Sequence, residues 1–166
     1  MGRNLVNRLL ELEYDVTVLN RGKTPWPFEG KVITRLKCDR LNDRKRFREL
    51  LFSKRNQFDV IVDFVAFSKS NVRDVVASSS CHYIFISTDS VHMACLPPNA
   101  QRLLKETDAV IPEKELSSEL RKIRGSYQIR YGLEKLKAEQ YLHKKAKDRY
   151  TCLRYVLSRK LFCFSS

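Results

Sequence analysis

The sequence predicts an α/β fold built on an open parallel sheet. Two short, almost unbroken apolar runs, Phe58–Phe64 and His82–Ser87, have the composition of strands buried on both faces. Segments with apolar residues at helical spacing separate the strand candidates. Those segments are long enough for right-handed crossovers between parallel strands.

The elements follow in order. Leu5, Leu9 and Leu12, with Val6 and Leu10 beside them, predict a helix over Asn4–Glu13. Tyr14–Asn20 is short and β-branched and runs into Arg21-Gly22, so it reads as a strand and its exit turn. Pro25, Pro27 and Gly30 make residues 23–30 a loop. Val32–Leu36 alternates as strands do. Asn42 or Asp43 caps a helix running to about Lys54, with Phe47, Leu50 and Leu51 on one face. After the first apolar run comes a helix over Ser70–Ser79. After the second, residues 92–125 form a mixed excursion containing Pro97-Pro98 and Pro112. A helix over Tyr131–Lys147 and a last strand over Thr151–Tyr155 complete the series.

Composition narrows the classes. The 166 residues carry 32 Lys and Arg against 19 Asp and Glu, a net charge of +13. With 43% hydrophobic and 31% charged residues, the chain has the balance of a globular protein and not of a disordered one. Five glycines and five prolines exclude collagen-like and low-complexity readings. No apolar run reaches membrane-spanning length, and the N-terminus lacks the apolar core of a signal peptide. The five cysteines form no C-x-x-C pair, which argues against a disulfide framework or a zinc ribbon. The expectation is therefore no membrane, no metal, and reduced thiols in the cytoplasm or an organelle matrix. Basic residues crowd 35–55 and 121–149. These zones read first as solvated helix faces, with RNA binding as the alternative that such a charge permits.

Two segments carry chemistry. One is the strand end Phe85-Ile86-Ser87-Thr88-Asp89-Ser90-Val91-His92. The other is Tyr131-Gly132-Leu133-Glu134-Lys135-Leu136-Lys137-Ala138-Glu139. Tyr131 and Lys135 are one helical turn apart and share a face. An ammonium beside the phenol is expected to lower its pKa and make it a usable acid/base. Thr88 supplies a hydroxyl for the same substrate oxygen. The Y-x-x-x-K spacing alone is weak, since Tyr141 and Lys145 match it too.

Taken in order, these segments resemble the extended or atypical short-chain dehydrogenase/reductases of the NAD-dependent epimerase/dehydratase type. Ser87–His92 resembles that family's S-S/T-x-x-V-Y segment, with His92 at the tyrosine position, and Tyr131–Glu139 resembles its Y-G-x-x-K-x-x-x-E helix. Val16–Gly22 resembles the second strand and turn, Cys38-Asp39-Arg40 the segment after the third strand, and Phe58–Phe67 the fourth strand and its loop.

The resemblance implies a Rossmann-like, doubly wound parallel sheet over 1–155 and a divergent tail over 156–166. It implies that Thr88 orients the substrate oxygen, Tyr131 transfers the proton, and Lys135 holds the nicotinamide ribose. It assigns Gly2, Asn20, Arg21 and Asp39 to the cofactor, NADP or NAD. Arg21 at the ribose position favours NADP, because an arginine pairs with the 2′-phosphate where an acidic residue would accept ribose hydroxyls. The partners implied are the dinucleotide and a small-molecule substrate.

The departures are equally plain. Gly2 aligns with the third glycine of the family's opening turn, so the expected sheet lacks its first strand and glycine-rich loop. That strand is central, and its loss leaves two edges unpaired. The sequence thus points to an oxidoreductase or sugar-nucleotide epimerase/dehydratase in a shortened form with impaired cofactor binding. A non-catalytic isoform, or a basic RNA-binding protein on the same scaffold, is the alternative.

Overall fold

The computed structural model describes residues 2–54, 56–95, 105–113 and 116–155. Pro97-Pro98 and the 156–166 tail lie outside the described residues. The described residues fall into two compact units that meet at residue 55.

The first unit contains α1 (Gly2–Glu11), β1 (Thr17–Asn20), β2 (Thr34–Lys37) and α2 (Arg44–Ser53). β1 and β2 pair in parallel, with Thr17 opposite Thr34 and Asn20 opposite Lys37. Asp43 caps α2, its carboxylate accepting the Arg46 amide at 3.2 Å. Phe28, Cys38, Phe47 and Leu51 form the core. The Arg40 guanidinium lies 4.6 Å from the Phe47 ring centre. α1 forms where its apolar periodicity predicts, yet none of its residues is fully buried.

The second unit contains β3 (Val60–Asp63), α3 (Lys69–Ser78), β4 (His82–Thr88), α4 (Ser118–Arg124), α5 (Ser126–Lys145) and β5 (Tyr150–Tyr155). A 3-10 segment, Asp89–Ala94, leaves β4, and a shorter one covers Glu106–Asp108. The sheet has the order β3-β4-β5, all parallel. Along β4 burial alternates. From His82 to Ser87, Tyr83, Phe85 and Ser87 are buried and the residues between them only half so, as a strand facing a helix on one side requires; Thr88 at the strand end is buried as well. β3 is less buried than its apolar run suggests: Val60 is 48% exposed. Among the described residues β1 and β3 each pair with a single strand, so the composition of a central strand does not by itself produce burial on both faces.

The helix carrying the chemistry starts earlier than its sequence pattern suggests. α5 begins at Ser126, after Gly125 at a φ of +78°, a conformation only glycine adopts without strain. It buries Ile129, Leu136, Ala138 and Leu142. Gly132 sets its approach to the chain leaving β4. A Cβ at position 132 would lie 2.0 Å from the Ser90 carbonyl oxygen, closer than any two such atoms come.

A part-buried ion pair ties the same helix to β5. The Arg154 guanidinium meets the Glu139 carboxylate at 2.7 Å, with its Nε at 3.2 Å from both oxygens. Ser87 and Arg154 are opposite each other in the β4–β5 register, and the Ser87 hydroxyl donates to the same carboxylate. Another Arg154 nitrogen donates to the Glu106 carbonyl at 2.8 Å. Cys152 shares this environment. Burial, then the Glu139 charge, pushes its thiol up to about 12.

Four outcomes are expected. Gly132→Ala should lower stability in urea by about 2–3 kcal/mol, because the methyl meets backbone and not a movable side chain. An unchanged midpoint would mean that α5 does not depend on this approach. Glu139→Ala, which removes the carboxylate partner of the part-buried Arg154, should cost about 1–3 kcal/mol by the same measurement. The native chain should also hold the Cys152 proton where the unfolded chain has lost it, so stability falls as pH rises from about 9 towards about 12. Iodoacetamide labelling of Cys152 at pH 8, read by mass spectrometry, should be roughly a thousandfold slower in the native than in the unfolded chain.

Candidate active site

In the second unit, the end of β4 and the first half of α5 bring Thr88, Tyr131 and Lys135 into one region. Lys135 is the anchor. Its side chain is 3% exposed, and its ammonium donates to the Ile86 carbonyl at 2.6 Å. It also lies 4.6 Å from the Phe85 ring centre and 5.7 Å from that of Tyr131. A buried ammonium needs such partners, because burial without them would strip its charge.

Thr88 is buried two residues beyond Ile86. Its hydroxyl accepts the Ser90 amide at 3.2 Å and lies 3.1 Å from both the Asp89 carboxylate and the Ser90 hydroxyl. The oxygen thus stays in the turn that leaves the strand. Ser90 is the residue whose carbonyl Gly132 admits, next to Tyr131 in sequence.

Tyr131 departs from the expectation set by its lysine. Its pKa is raised, first by burial and then by the nearby phenol of Tyr127 and the carboxylate of Asp89. The ammonium expected to lower it donates to the Ile86 carbonyl, and burial is the largest cause acting on the phenol. Phe67, from the loop after β3, packs against the Tyr131 ring at 4.9 Å between centres. Tyr127 stacks on it at 6.3 Å with the planes only 2° apart. Neither aromatic stands out in the sequence motifs. Tyr127 falls before the point where the motif suggests the helix starts, although its place four residues before Tyr131 is the available signal.

His92 stands in the 3-10 segment with its Nδ1 buried and without a hydrogen-bond partner. Burial, and after it Arg154, holds the imidazole below its usual range, against the opposing pull of Asp108, Glu139 and Asp89. Glu139, part of the helix motif, holds α5 to β5 through Arg154.

Gly2, Asn20, Arg21 and Asp39 belong to the first unit. Gly2 starts α1, whose first turn carries no acidic side chain, so the partial positive charge of its free amides is unopposed. The Asn20 side-chain oxygen accepts the Gly22 amide at 2.9 Å and shapes the turn after β1. Gly22 has a φ of +74°, and the Lys37 side chain runs beside it, 3.2 Å from where a Cβ would stand. Lys37 therefore joins Arg21 at this turn, a second cation that the sequence pattern did not single out. The Asp39 carboxylate accepts the amides of Leu41 and Asn42 at 3.1 and 3.3 Å and the Asn42 side chain at 3.0 Å. The Leu41 bond is the largest of the effects that hold its pKa down, and Arg21 adds a smaller one. These residues suit a phosphate-bearing nucleotide in two respects: a helix start without acidic side chains, and a turn where Arg21 and the Lys37 side chain are both present. Among the described residues no group of three or more His, Cys, Asp or Glu side chains is arranged to hold a metal, and no helix is long and apolar enough to cross a membrane.

The fold resembles the crystal structure of UDP-glucuronic acid 4-epimerase from Bacillus cereus, determined with UDP-glucuronic acid and NAD. The TM-score is 0.58, with 19% sequence identity, over 93% of this chain and 52% of that one. The chain thus spans about half the length of that neighbour, and at this identity the likeness concerns the Rossmann-like fold. No curated protein matches the chain. The model of the NAD dependent epimerase/dehydratase family matches residues 1–158. With that match over nearly all its length, the chain belongs to the NAD-dependent epimerase/dehydratase family.

Proposed function

We propose that the chain carries the dinucleotide-contacting and proton-transferring part of an NAD(P)-dependent enzyme acting on a sugar nucleotide or a similar small alcohol or ketone. One observation carries the reading: Lys135 is fixed to the Ile86 carbonyl, one helical turn after Tyr131 and just before Thr88. That arrangement supports a hydroxyl and a phenol converging on one substrate oxygen, with a buried cation behind them.

When bound, a nicotinamide dinucleotide supplies hydride acceptance and return. The protein's part is positional and acid/base. Thr88 orients the substrate oxygen, whose proton Tyr131 removes or restores. Lys135 hydrogen-bonds the nicotinamide ribose and places positive charge near the developing oxyanion. In the first unit, the start of α1 at Gly2 meets the pyrophosphate, and Asn20 shapes the ribose-binding turn. Arg21 and Lys37 at that turn favour NADP, since two cations suit a 2′-phosphate better than bare ribose hydroxyls. Asp39 borders the adenine side through the turn it caps.

Dinucleotide binding should raise the thermal midpoint. At a hundredfold excess over Kd the native state gains about 2.7 kcal/mol, or roughly 5–10 °C for a chain of this size. No shift with saturating NADP(H) or NAD(H) would overturn dinucleotide binding by this chain. Arg21→Asp should weaken NADP about tenfold or more relative to NAD in calorimetric titration, and an unchanged ratio would remove Arg21 from that role. With UDP-glucuronic acid as the probe substrate, Tyr131→Phe should keep the dinucleotide-induced shift but lower 4-epimerisation about 100- to 10,000-fold. Retained turnover would show that another group moves the proton.

A further inference from the structure

A hollow in the second unit takes no part in the chemistry described above. It opens between Ile111, Pro112 and Leu116, helix α4 and one side of α5, and has a volume of about 640 Å³. Ser126, Arg130, Leu133 and Lys137 line it from α5. At about 3.6 residues per turn these four form one stripe, on the side of the helix away from Lys135. The stripe runs roughly 16 Å along the helix axis. Ile111, Pro112, Leu116 and Leu133 are only half-buried, so the hollow presents apolar surface to water. Charged groups stand around that surface. The Lys137 ammonium donates to the Glu134 carboxylate at 2.9 Å, and this pair cancels its own charge. The Nε of Arg121, on α4, donates to the Leu116 carbonyl at 3.0 Å, which ties that arginine to the wall. Among the described residues the Arg130 guanidinium and the Glu113 carboxylate have no hydrogen-bond or ion-pair partner. Outside the Lys137–Glu134 pair, the lining therefore sets two guanidinium groups against one carboxylate.

We propose that this hollow binds a small amphipathic organic anion, an aromatic or aliphatic body that carries one carboxylate, sulfonate or phosphate group. Arg130 receives the anionic group, and the body covers Leu116 and Leu133. Three observations point the same way. The volume falls in the range of about 300–1,000 Å³ that small-molecule sites occupy. The walls are apolar with a few polar groups set among them, which is how such sites combine affinity with orientation. The excess charge is guanidinium, whose flat fork of donors takes two oxygens of one anionic group at once. A hollow about 16 Å long offers far less than the roughly 800 Å² per partner that a stable protein interface covers, so the occupant is a small molecule and not a second chain. The site is separate from the proton-transfer region, since its stripe and Lys135 lie on opposite sides of α5.

The probe is anilinonaphthalene sulfonate, an aromatic anion that fluoresces when it leaves water. Titrated into the full chain, it should saturate at one molecule per chain. In NMR spectra of the 15N-labelled chain it should shift the amides of Arg130, Leu133 and Lys137. Arg130→Glu, at an exposed position, should weaken binding about tenfold or more without moving the thermal midpoint. Arg130→Lys, which keeps the charge but not the fork, should weaken it less. Phenylnaphthylamine, the same ring system without the sulfonate, should bind about tenfold or more weakly than the anion. Saturating NADP should leave the affinity for the anion unchanged. Failure to saturate, equal affinity in Arg130→Glu, equal binding of the neutral analogue, or displacement by NADP overturns the proposal. A dimer seen in sedimentation that Leu133→Asp dissociates also overturns it, because the occupant is then a second copy. The amide shifts locate the anion whether or not the chain binds a dinucleotide, so this proposal and the preceding one fail separately.

Discussion

The second unit depends on how closely one helix can approach the chain that leaves a strand. Gly132 is the point of approach, and it meets backbone at Ser90. With any side chain at 132, α5 would stand farther from β4. Lys135 lies three residues on and reaches the Ile86 carbonyl at 2.6 Å, a bond that a shifted helix would stretch or break. Tyr131, one residue before the glycine, owes its closeness to Phe67 and Asp89 to the same approach. A residue with no side chain thus decides where two candidate side chains stand, Tyr131 and Lys135.

Buried charge then makes that geometry specific. Apolar contacts of Ile129, Leu136, Ala138 and Leu142 would hold α5 against the sheet in more than one register. Lys135 and Glu139 restrict that freedom, because each is bonded at a set place on the sheet, Lys135 to Ile86 and Glu139 to Ser87 and Arg154. The carboxylate takes Ser87 from β4 and Arg154 from β5, residues that the parallel register sets side by side. A helix slipped by one turn would leave both charges buried without those partners, at a cost of several kcal/mol. The residues that resemble a catalytic motif are therefore also what fixes the helix in place.

Much of this was legible in the sequence, and the misses have physical causes. The α/β alternation, the parallel pairing and the shared face of Tyr131 and Lys135 follow from periodicity, which depends on local geometry alone. The start of α5 did not. The motif begins at Tyr131, whereas the helix begins where Gly125 allows a positive φ, five residues earlier than the motif, and Tyr127 was hidden in that interval. α4 is short and sits in a stretch read only as an excursion, too brief to show a period. The direction of the Tyr131 pKa was wrong because spacing gives the nearness of a lysine but not where its ammonium points. The ammonium's partner is a backbone carbonyl on another element, which no side-chain pattern reveals.

The net charge of +13 gains a different meaning from the same contacts. Counted from composition, every cation belongs to the surface and argues for a polyanionic partner. Several of them are not surface charges. Lys135 is buried against Ile86, Arg154 is bound to Glu139, and Arg40 is buried with its guanidinium over Phe47. Arg35 lies over the ring of Trp26 at 4.5 Å. Each uses its charge or its flat cationic face to hold neighbouring elements, work that arginine does well through stacking and forked hydrogen bonds. At the turn after β1 the Lys37 side chain runs beside Gly22, the residue that follows Arg21. A nucleic acid would be held by an extended basic surface along its backbone, so the number of cations alone is no argument for one.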